Sequence, residues 1–168
     1  MAEPNETKST VTQPPTPGAA SRILRAFEEI QREPPQNMSN FELVDSSNPS
    51  VWRAIVHGPE NTPYEGGRFK VLIEFPASYP FKPPTLRFDP RLYHPNVHED
   101  GMVSLSSQDA TAWSPRSQVG PLLSSVTMLL MEPNPADSPA YAEAAALMLN
   151  NKEEFNRVAR QWTKDNAQ

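Results

Sequence analysis

The pattern of apolar and polar positions divides the chain into a polar start, a helix, a group of short strands and a helical end. Residues 1–20 contain four prolines and almost no large apolar side chains, so this segment cannot offset its ordering entropy by burial. Apolar residues then recur at helical spacing from Ser21 to the Pro34-Pro35 pair, where a helix must end. We predict an unstructured tail over residues 1–20 and an amphipathic helix capped by Ser21.

The middle of the chain has the pattern of a sheet. Between Phe41 and Phe88, short apolar or alternating runs are separated by turn residues, and they read FELV, VWRAIVHG, RFKVLIEF and TLRF. Such runs are typical of antiparallel strands joined by short turns. We therefore predict a four-stranded antiparallel meander, followed by a long ordered loop from Tyr93 to Pro115 that shows no sustained period.

Helical spacing returns after this loop. The segment VGPLLSSVTMLLM has a nearly continuous apolar face and should form a buried helix. Two further helical segments, YAEAAALMLNN and KEEFNRVARQWTKDN, follow the proline-rich stop EPNPADSP. The order of elements predicts one α+β domain over residues 21–166, in which helices flank an antiparallel sheet.

Composition narrows the classes of function. The 168 residues suit a single domain, and the net charge of -5 argues against broad binding to nucleic acids or anionic membranes. No apolar run approaches the ~20 residues of a spanning helix, and the start lacks the order of a secretory signal. The chain has no cysteine, which excludes disulfides, thiolate metal sites and thiol catalysis. We expect protein partners and a cytoplasmic or nuclear location.

Several separate motifs, in a fixed order, carry a resemblance to a known family. The loop from His94 to Pro115 contains His-Pro-Asn, a glycine turn and Trp-Ser-Pro; PYEGGRF and FPASYPFKPP precede it, and EPNP follows it. Together these segments resemble ubiquitin-conjugating (E2) enzymes over Ser21 to Asn166. The resemblance implies the UBC fold and a carrier that takes ubiquitin from an activating enzyme and transfers it to a substrate lysine with a RING-type ligase. It implies no bound cofactor, because the activating enzyme uses the ATP.

The resemblance places Ser104 where the family keeps its catalytic cysteine. In the family pattern the cysteine follows Gly-X-[Val/Ile] and precedes leucine, and here Gly101-Met102-Val103 is followed by Ser104-Leu105. A serine hydroxyl is far less acidic than a thiol and is a weak nucleophile without a nearby base. We therefore expect at best a slow oxyester at this position and severely reduced catalysis.

Three explanations for Ser104 remain open. The chain is a deliberate Cys-to-Ser form that traps or silences the enzyme, a natural E2-like adaptor for ubiquitin or ligases, or a working serine-dependent enzyme. The complete His-Pro-Asn tripeptide and the isosteric side chain favour the first explanation. The third needs a base for Ser104, and His98 is the histidine close enough in sequence to test.

The same resemblance assigns the other residues of the active-site loop. Asn96 either stabilises the oxyanion formed when lysine attacks or holds the loop in place. His94 is expected to form hydrogen bonds within the loop, and Pro95 fixes its turn. Asp137 is the candidate acidic residue beside the attacking lysine, although an apparent one-residue insertion leaves open whether Asp137 or Ser138 faces the site.

Partner surfaces follow from the same comparison. Arg22 and Arg25 on the first helix match basic residues that contact the activating enzyme; the alternative is a solvated helix face. Trp113 is expected to pack its loop against the sheet. An exposed hydrophobic patch matches the surface that binds RING-type ligases. That patch consists of Phe81, Lys82, Ser114 and Pro115.

The modifier carried is not determined by these motifs. The YPFKPP loop is similar to that of ubiquitin-specific members, whereas EPNP followed by AEAAALMLNN is similar to the ends of E2s for NEDD8 and SUMO. The acidic, proline-rich start differs from the strongly basic start of a SUMO-type E2. We therefore predict ubiquitin as the modifier, with NEDD8 as the alternative.

Overall fold

The first helix begins earlier than the sequence pattern predicted. The computed structural model describes residues 14–104, 113–136 and 139–168, and α1 spans Pro17–Arg32. Thr16 is the N-cap, and its Oγ1 accepts a hydrogen bond from the Ala19 amide at 3.3 Å. Ser21 lies exposed inside the helix, so its prediction as the N-cap was wrong. Thr16 caps better because it is followed by proline, whose fixed φ suits the first helical position.

This earlier start changes the boundary of the ordered region. Residues 17–20 belong to α1, and Ala19 is buried against the rest of the protein. Residues 1–13 lie outside the described residues, so the unstructured tail stays a prediction there.

The predicted four-stranded antiparallel meander is confirmed. The strands are β1 (Met38–Asp45), β2 (Asn48–His57), β3 (Arg68–Glu74) and β4 (Thr85–Phe88), and they pair in the order β1-β2-β3-β4. Alternate residues of β2 are buried, as expected for a sheet with one covered face.

Three helices follow the long loop: α2 (Val119–Met131), α3 (Ala142–Asn150) and α4 (Lys152–Asn166). Buried side chains of α1, the sheet, α2 and α4 form one hydrophobic cluster, in which the Trp52 ring lies 5.2 Å from Phe27 and 4.7 Å from Phe75. The predicted α+β fold is therefore confirmed. Within the described ranges no helix is long and apolar enough to cross a membrane, and the cytoplasmic or nuclear location stays a prediction.

Candidate functional site

A glycine turn determines the position of Ser104. Gly101 has φ +89°, and a Cβ on it would lie 1.9 Å from the carbonyl oxygen of Phe88. Only glycine fits this conformation and this close approach. The turn sends the chain back beside β4, where Met102 forms a bridge with Arg87 and Val103 forms one with Val97. Residue 104 therefore directly follows the segment Met102-Val103, whose two residues are paired with backbone on two different neighbouring segments.

Ser104 is held through its backbone to the His-Pro-Asn tripeptide. Its amide donates a hydrogen bond to the carbonyl oxygen of Asn96 at 2.8 Å, and its side chain is half-buried. The sequence motif and this contact bring positions 96 and 104 together. A group bound to the side chain of residue 104 would therefore be attached to backbone that is held beside Asn96.

The carboxamide of Asn96 is hydrogen-bonded through both its nitrogen and its oxygen. Its Nδ2 donates to the carbonyl oxygen of Asn134 at 2.8 Å, and its Oδ1 accepts from the amide of Asn134 at 2.9 Å. Asn96 is only 4% exposed. Of the two roles that the resemblance implies, this pair of hydrogen bonds is the geometry expected for holding the loop.

His94 is completely buried, with both ring nitrogens bonded to backbone groups. Nδ1 accepts from the Asn96 amide at 3.0 Å, which leaves Nε2 as the donor to the Leu129 carbonyl oxygen at 2.8 Å. The imidazole also lies against the ring of Tyr64, with centroids 5.8 Å apart. The predicted hydrogen bond within the loop is therefore present in this geometry, together with a second bond that joins the loop to α2.

Burial keeps His94 neutral. Desolvation lowers its pKa from 6.5 to about 4, although the hydrogen bond to the Leu129 carbonyl acts in the opposite direction. A neutral imidazole with both nitrogens occupied cannot take the proton of Ser104. His98 is exposed, and among the described residues no hydrogen bond joins it to Ser104. The described part of the site thus supplies Ser104 with no histidine base.

The segment between α2 and α3 is bound to the tripeptide at both ends. Asn134 is bonded to the Asn96 carboxamide, and the Tyr141 amide donates to the Pro95 carbonyl oxygen at 3.0 Å. Asp137 and Ser138 lie outside the described residues, so the choice between them stays a prediction. Sequence reasoning missed Tyr141, for which an aromatic residue directly before a helix was the available signal. It also missed Asn134, whose backbone atoms carry no residue-specific signal.

The predicted ligase-binding residues lie on two loops that contact each other. Phe81 is 76% exposed, and Lys82, Ser114 and Pro115 are exposed as well. The indole N–H of Trp113 donates to the Pro80 carbonyl oxygen at 2.9 Å and thereby joins the two loops. This contact is with a loop, and the predicted packing of the Trp113 loop against the sheet stays a prediction.

Arg22, one of the two predicted basic residues of α1, lies beside these loops. Arg22 and Arg25 are both exposed, and Nη1 of Arg22 donates to the Pro115 carbonyl oxygen at 3.5 Å. The sequence suggested two separate surfaces, whereas the fold makes them neighbours. Within residues 14–104, 113–136 and 139–168, no group of three His, Cys, Asp or Glu residues could hold a metal ion. The absence of a cofactor stays a prediction.

The low pKa of His94 predicts that stability depends on pH. The folded protein keeps the imidazole neutral down to about pH 4, whereas the unfolded chain binds a proton near pH 6.5. The unfolded state therefore holds more protons between these values, and the free energy of unfolding should fall by about 3 kcal/mol as the pH drops from 6.5 to 4. Urea unfolding at a series of pH values measures this change.

Two variants separate the contribution of His94 from that of other groups. His94→Gln should remove most of the pH dependence between 4 and 6.5, while His98→Gln, a change at an exposed histidine, should keep it. Hydrogen bonds to Ser47 and Arg157 lower the pKa values of the carboxyl groups of Asp45 and Glu154. Both groups are present in the parent and in the two variants, so they contribute equally to all three pH profiles. An unchanged pH profile in His94→Gln would contradict the assignment.

Comparison with known proteins identifies the family. The model of the family "Ubiquitin-conjugating enzyme" matches residues 22–163. Among curated proteins, the chain is 42% identical over 142 residues to "Ubiquitin-conjugating enzyme E2 3" of Arabidopsis thaliana, an alignment that covers 84% of this chain and 92% of the relative. The matched region includes the sheet, the glycine turn, Ser104 and the segment between α2 and α3. The chain therefore belongs to the ubiquitin-conjugating (E2) enzyme family.

Proposed function

We propose that this chain is an E2 carrier that accepts ubiquitin at residue 104 and passes it to lysine with a RING-type ligase. The observation that carries the proposal is the hydrogen bond from the Ser104 amide to the Asn96 carbonyl oxygen at 2.8 Å. It holds residue 104 beside the His-Pro-Asn tripeptide, which supports the proposal that residue 104 stands at the cysteine position of the family pattern.

The chemistry at residue 104 is two successive acyl transfers. In the first, Ser104 Oγ attacks the thioester carbonyl carbon of ubiquitin on the activating enzyme; a C–O bond forms, the C–S bond breaks, and the released thiolate receives the hydroxyl proton. In the second, a lysine amine attacks the resulting ester; a C–N bond forms, the C–O bond breaks, and the serine hydroxyl regains a proton. Both steps are slow because the hydroxyl has no base among the described residues and is a poor leaving group compared with a thiolate.

The surroundings of Ser104 support a Cys-to-Ser form of an otherwise complete enzyme. The glycine turn, the buried His94 and the hydrogen-bonded Asn96 support a site shaped for acyl transfer. We assign Asn96 the loop-holding role, and Asp137 or Ser138 the role of the polar residue near the attacking amine. This assignment requires that position 104 work once it carries a thiol.

We assign a partner to each of two neighbouring surfaces. We propose that Arg22 and Arg25 bind the activating enzyme, and that a neighbouring patch binds the ligase. That patch consists of Phe81, Lys82, Ser114 and Pro115. The 76% exposure of Phe81, together with the exposed Pro115 of the adjoining loop, supports this assignment, because exposed apolar patches mark interaction sites. The contact from Arg22 to Pro115 supports surfaces that adjoin each other.

Two other functions remain candidates. A non-catalytic adaptor that binds ubiquitin or ligases is favoured because the described residues supply no histidine base to Ser104. NEDD8 instead of ubiquitin as the modifier is favoured by the likeness of the segment EPNP with AEAAALMLNN to E2s of that class. The choice between these functions requires a charging experiment.

A charging reaction with activating enzyme, ATP and ubiquitin tests the proposal. The chain should slowly form an adduct that resists thiols but is cleaved by hydroxide, and Ser104→Ala should form none. Ser104→Cys serves as the reference, because a thiol at a competent site forms a thiol-sensitive adduct. If neither Ser104 nor Ser104→Cys is charged, the carrier function is wrong; charging only with NEDD8 and its activating enzyme would correct the modifier.

A further inference from the structure

Arg91 and Tyr141 form a contact close to the site that no motif predicts. The guanidinium carbon of Arg91 lies 3.9 Å from the centroid of the Tyr141 ring, which is the geometry of a cation–π interaction. Nε of Arg91 is buried and has no hydrogen-bond partner among the described residues. A guanidinium that has lost part of its water interacts more strongly with the face of a ring.

Both partners of this contact are held by the core. The indole N–H of Trp162 on α4 donates to the carbonyl oxygen of Arg91 at 3.1 Å. The Tyr141 ring meets Tyr93 edge to face at 5.4 Å, and Tyr93 lies 5.5 Å from the fully buried Phe155. The contact therefore connects two rigid parts of the protein.

Tyr141 also connects this contact to residue 104. Its amide donates to the Pro95 carbonyl oxygen at 3.0 Å, and the adjacent Asn96 accepts the amide of Ser104 at 2.8 Å. Tyr141 is the N-cap of α3, where it offers no side-chain hydrogen bond to the helix. The start of α3 is held instead by the hydrogen bond from the Ala145 amide to the Tyr141 carbonyl oxygen at 3.0 Å and by the ring contacts of Tyr141.

We infer that Arg91 is a positioning residue for transfer from residue 104, because its guanidinium holds the Tyr141 ring and thereby the amide that binds Pro95. Among the described residues, no hydrogen bond joins the Arg91 side chain to Ser104 or to the tripeptide, so we infer that it acts through Tyr141. Acyl transfer is sensitive to small displacements of the reacting group, and loss of this contact loosens the support of Pro95 and Asn96. The inference rests on the proposed carrier function.

Discharge of a preformed adduct tests this role. In the Ser104→Cys background, the protein is loaded with ubiquitin, the activating enzyme is stopped, and discharge to free lysine is followed at increasing lysine concentration. Arg91→Met keeps most of the side-chain length but removes the charge, and it should lower the maximum discharge rate about fivefold. The lysine concentration at half-maximal rate should stay within about twofold, because a positioning residue does not bind the amine.

Matched variants distinguish a loss of positioning from a non-specific loss of structure. Arg91→Lys keeps a cation over the ring and should restore most of the rate, whereas Arg157→Met, which removes an exposed guanidinium paired with Glu154, should leave it unchanged. Tyr141→Leu should slow discharge as Arg91→Met does, and the double variant should be no slower than either single variant. Because Tyr141→Leu leaves Arg91 intact, it tests the same contact if Arg91→Met is unfolded at the assay temperature.

The outcomes that overturn the inference are distinct from those that overturn the proposed function. Failure of the Ser104→Cys parent to accept ubiquitin contradicts the carrier function. A parent that charges and discharges, together with a folded Arg91→Met that discharges at the parent rate, contradicts the role of Arg91. Equal losses in Arg91→Met and Arg91→Lys contradict the role of its charge, and independent losses in the double variant contradict action through Tyr141.

Discussion

Replacing Ser104 with cysteine should raise the rate of ubiquitin loading by about three orders of magnitude. A thiol with a pKa near 8.5 is partly ionised at neutral pH, whereas a serine hydroxyl needs a base to take its proton. A positioned base contributes about a hundredfold to ten-thousandfold. Since both nitrogens of His94 are bonded to backbone groups, a thiol that does not depend on a base should recover a factor of this size.

Loading is measured as the time course of adduct formation on gels without reducing agent. The adduct on Ser104→Cys should disappear on treatment with thiol, whereas the slow adduct on Ser104 should persist until hydroxide is added. Ser114→Cys, which places a thiol on an exposed neighbouring loop, should form no thiol-sensitive adduct at a comparable rate. A Ser104→Cys chain that loads as slowly as the parent would contradict the carrier function and favour the adaptor.

Asn96→Ala should lower the free energy of unfolding by about 3 kcal/mol. The substitution removes two hydrogen bonds, to the amide and to the carbonyl oxygen of Asn134, in a position that is 4% exposed. A net hydrogen bond contributes up to about 1.5 kcal/mol, so the loss of these two accounts for a change of this size. In the Ser104→Cys background, discharge to lysine should slow as well, because residue 104 is held by the backbone of Asn96.

Urea unfolding and lysine discharge together distinguish the two roles of Asn96. Asn96→Asp keeps an acceptor for the Asn134 amide but turns an oxygen toward the Asn134 carbonyl, so it should lose stability too. Asn166→Ala, which removes an exposed carboxamide bonded to the Trp162 carbonyl, should change stability by less than about 0.5 kcal/mol. If Asn96→Ala slows discharge a hundredfold or more, on the order of one oxyanion-hole donor, without loss of stability, oxyanion stabilisation is its role.

The strands and the later helices could be predicted from sequence because their signals are local. Alternating apolar residues and turn residues define the four strands, and the apolar face of Val119–Met131 predicts α2 with its observed bounds. The start of α1 was predicted wrongly because Thr16 and Ser21 are both residue types that cap helices, and the proline after Thr16 was not used as a signal. Pro17 and the burial of Ala19 decide between them.

The residue types at positions 94, 96 and 104 were evident from the motif, but their interactions were not. The Asn96 carboxamide binds backbone atoms 38 positions away, and backbone atoms are the same in every residue. Burial against α2 and the Tyr64 ring lowers the pKa of His94, so the imidazole stays neutral well below pH 6.5.

The sequence by itself determined the order of elements, because periodicity is a local signal. It also determined the family and the serine at position 104, because the motifs and their spacing are read directly from the chain. Only the tertiary structure decided how residue 104 is supported. The contact of Arg91 with Tyr141, and the bond from Tyr141 to Pro95, join residues that lie far apart in the chain. Arginine and tyrosine are common on protein surfaces, so their interaction can be identified only when the folded structure shows the cation over the ring.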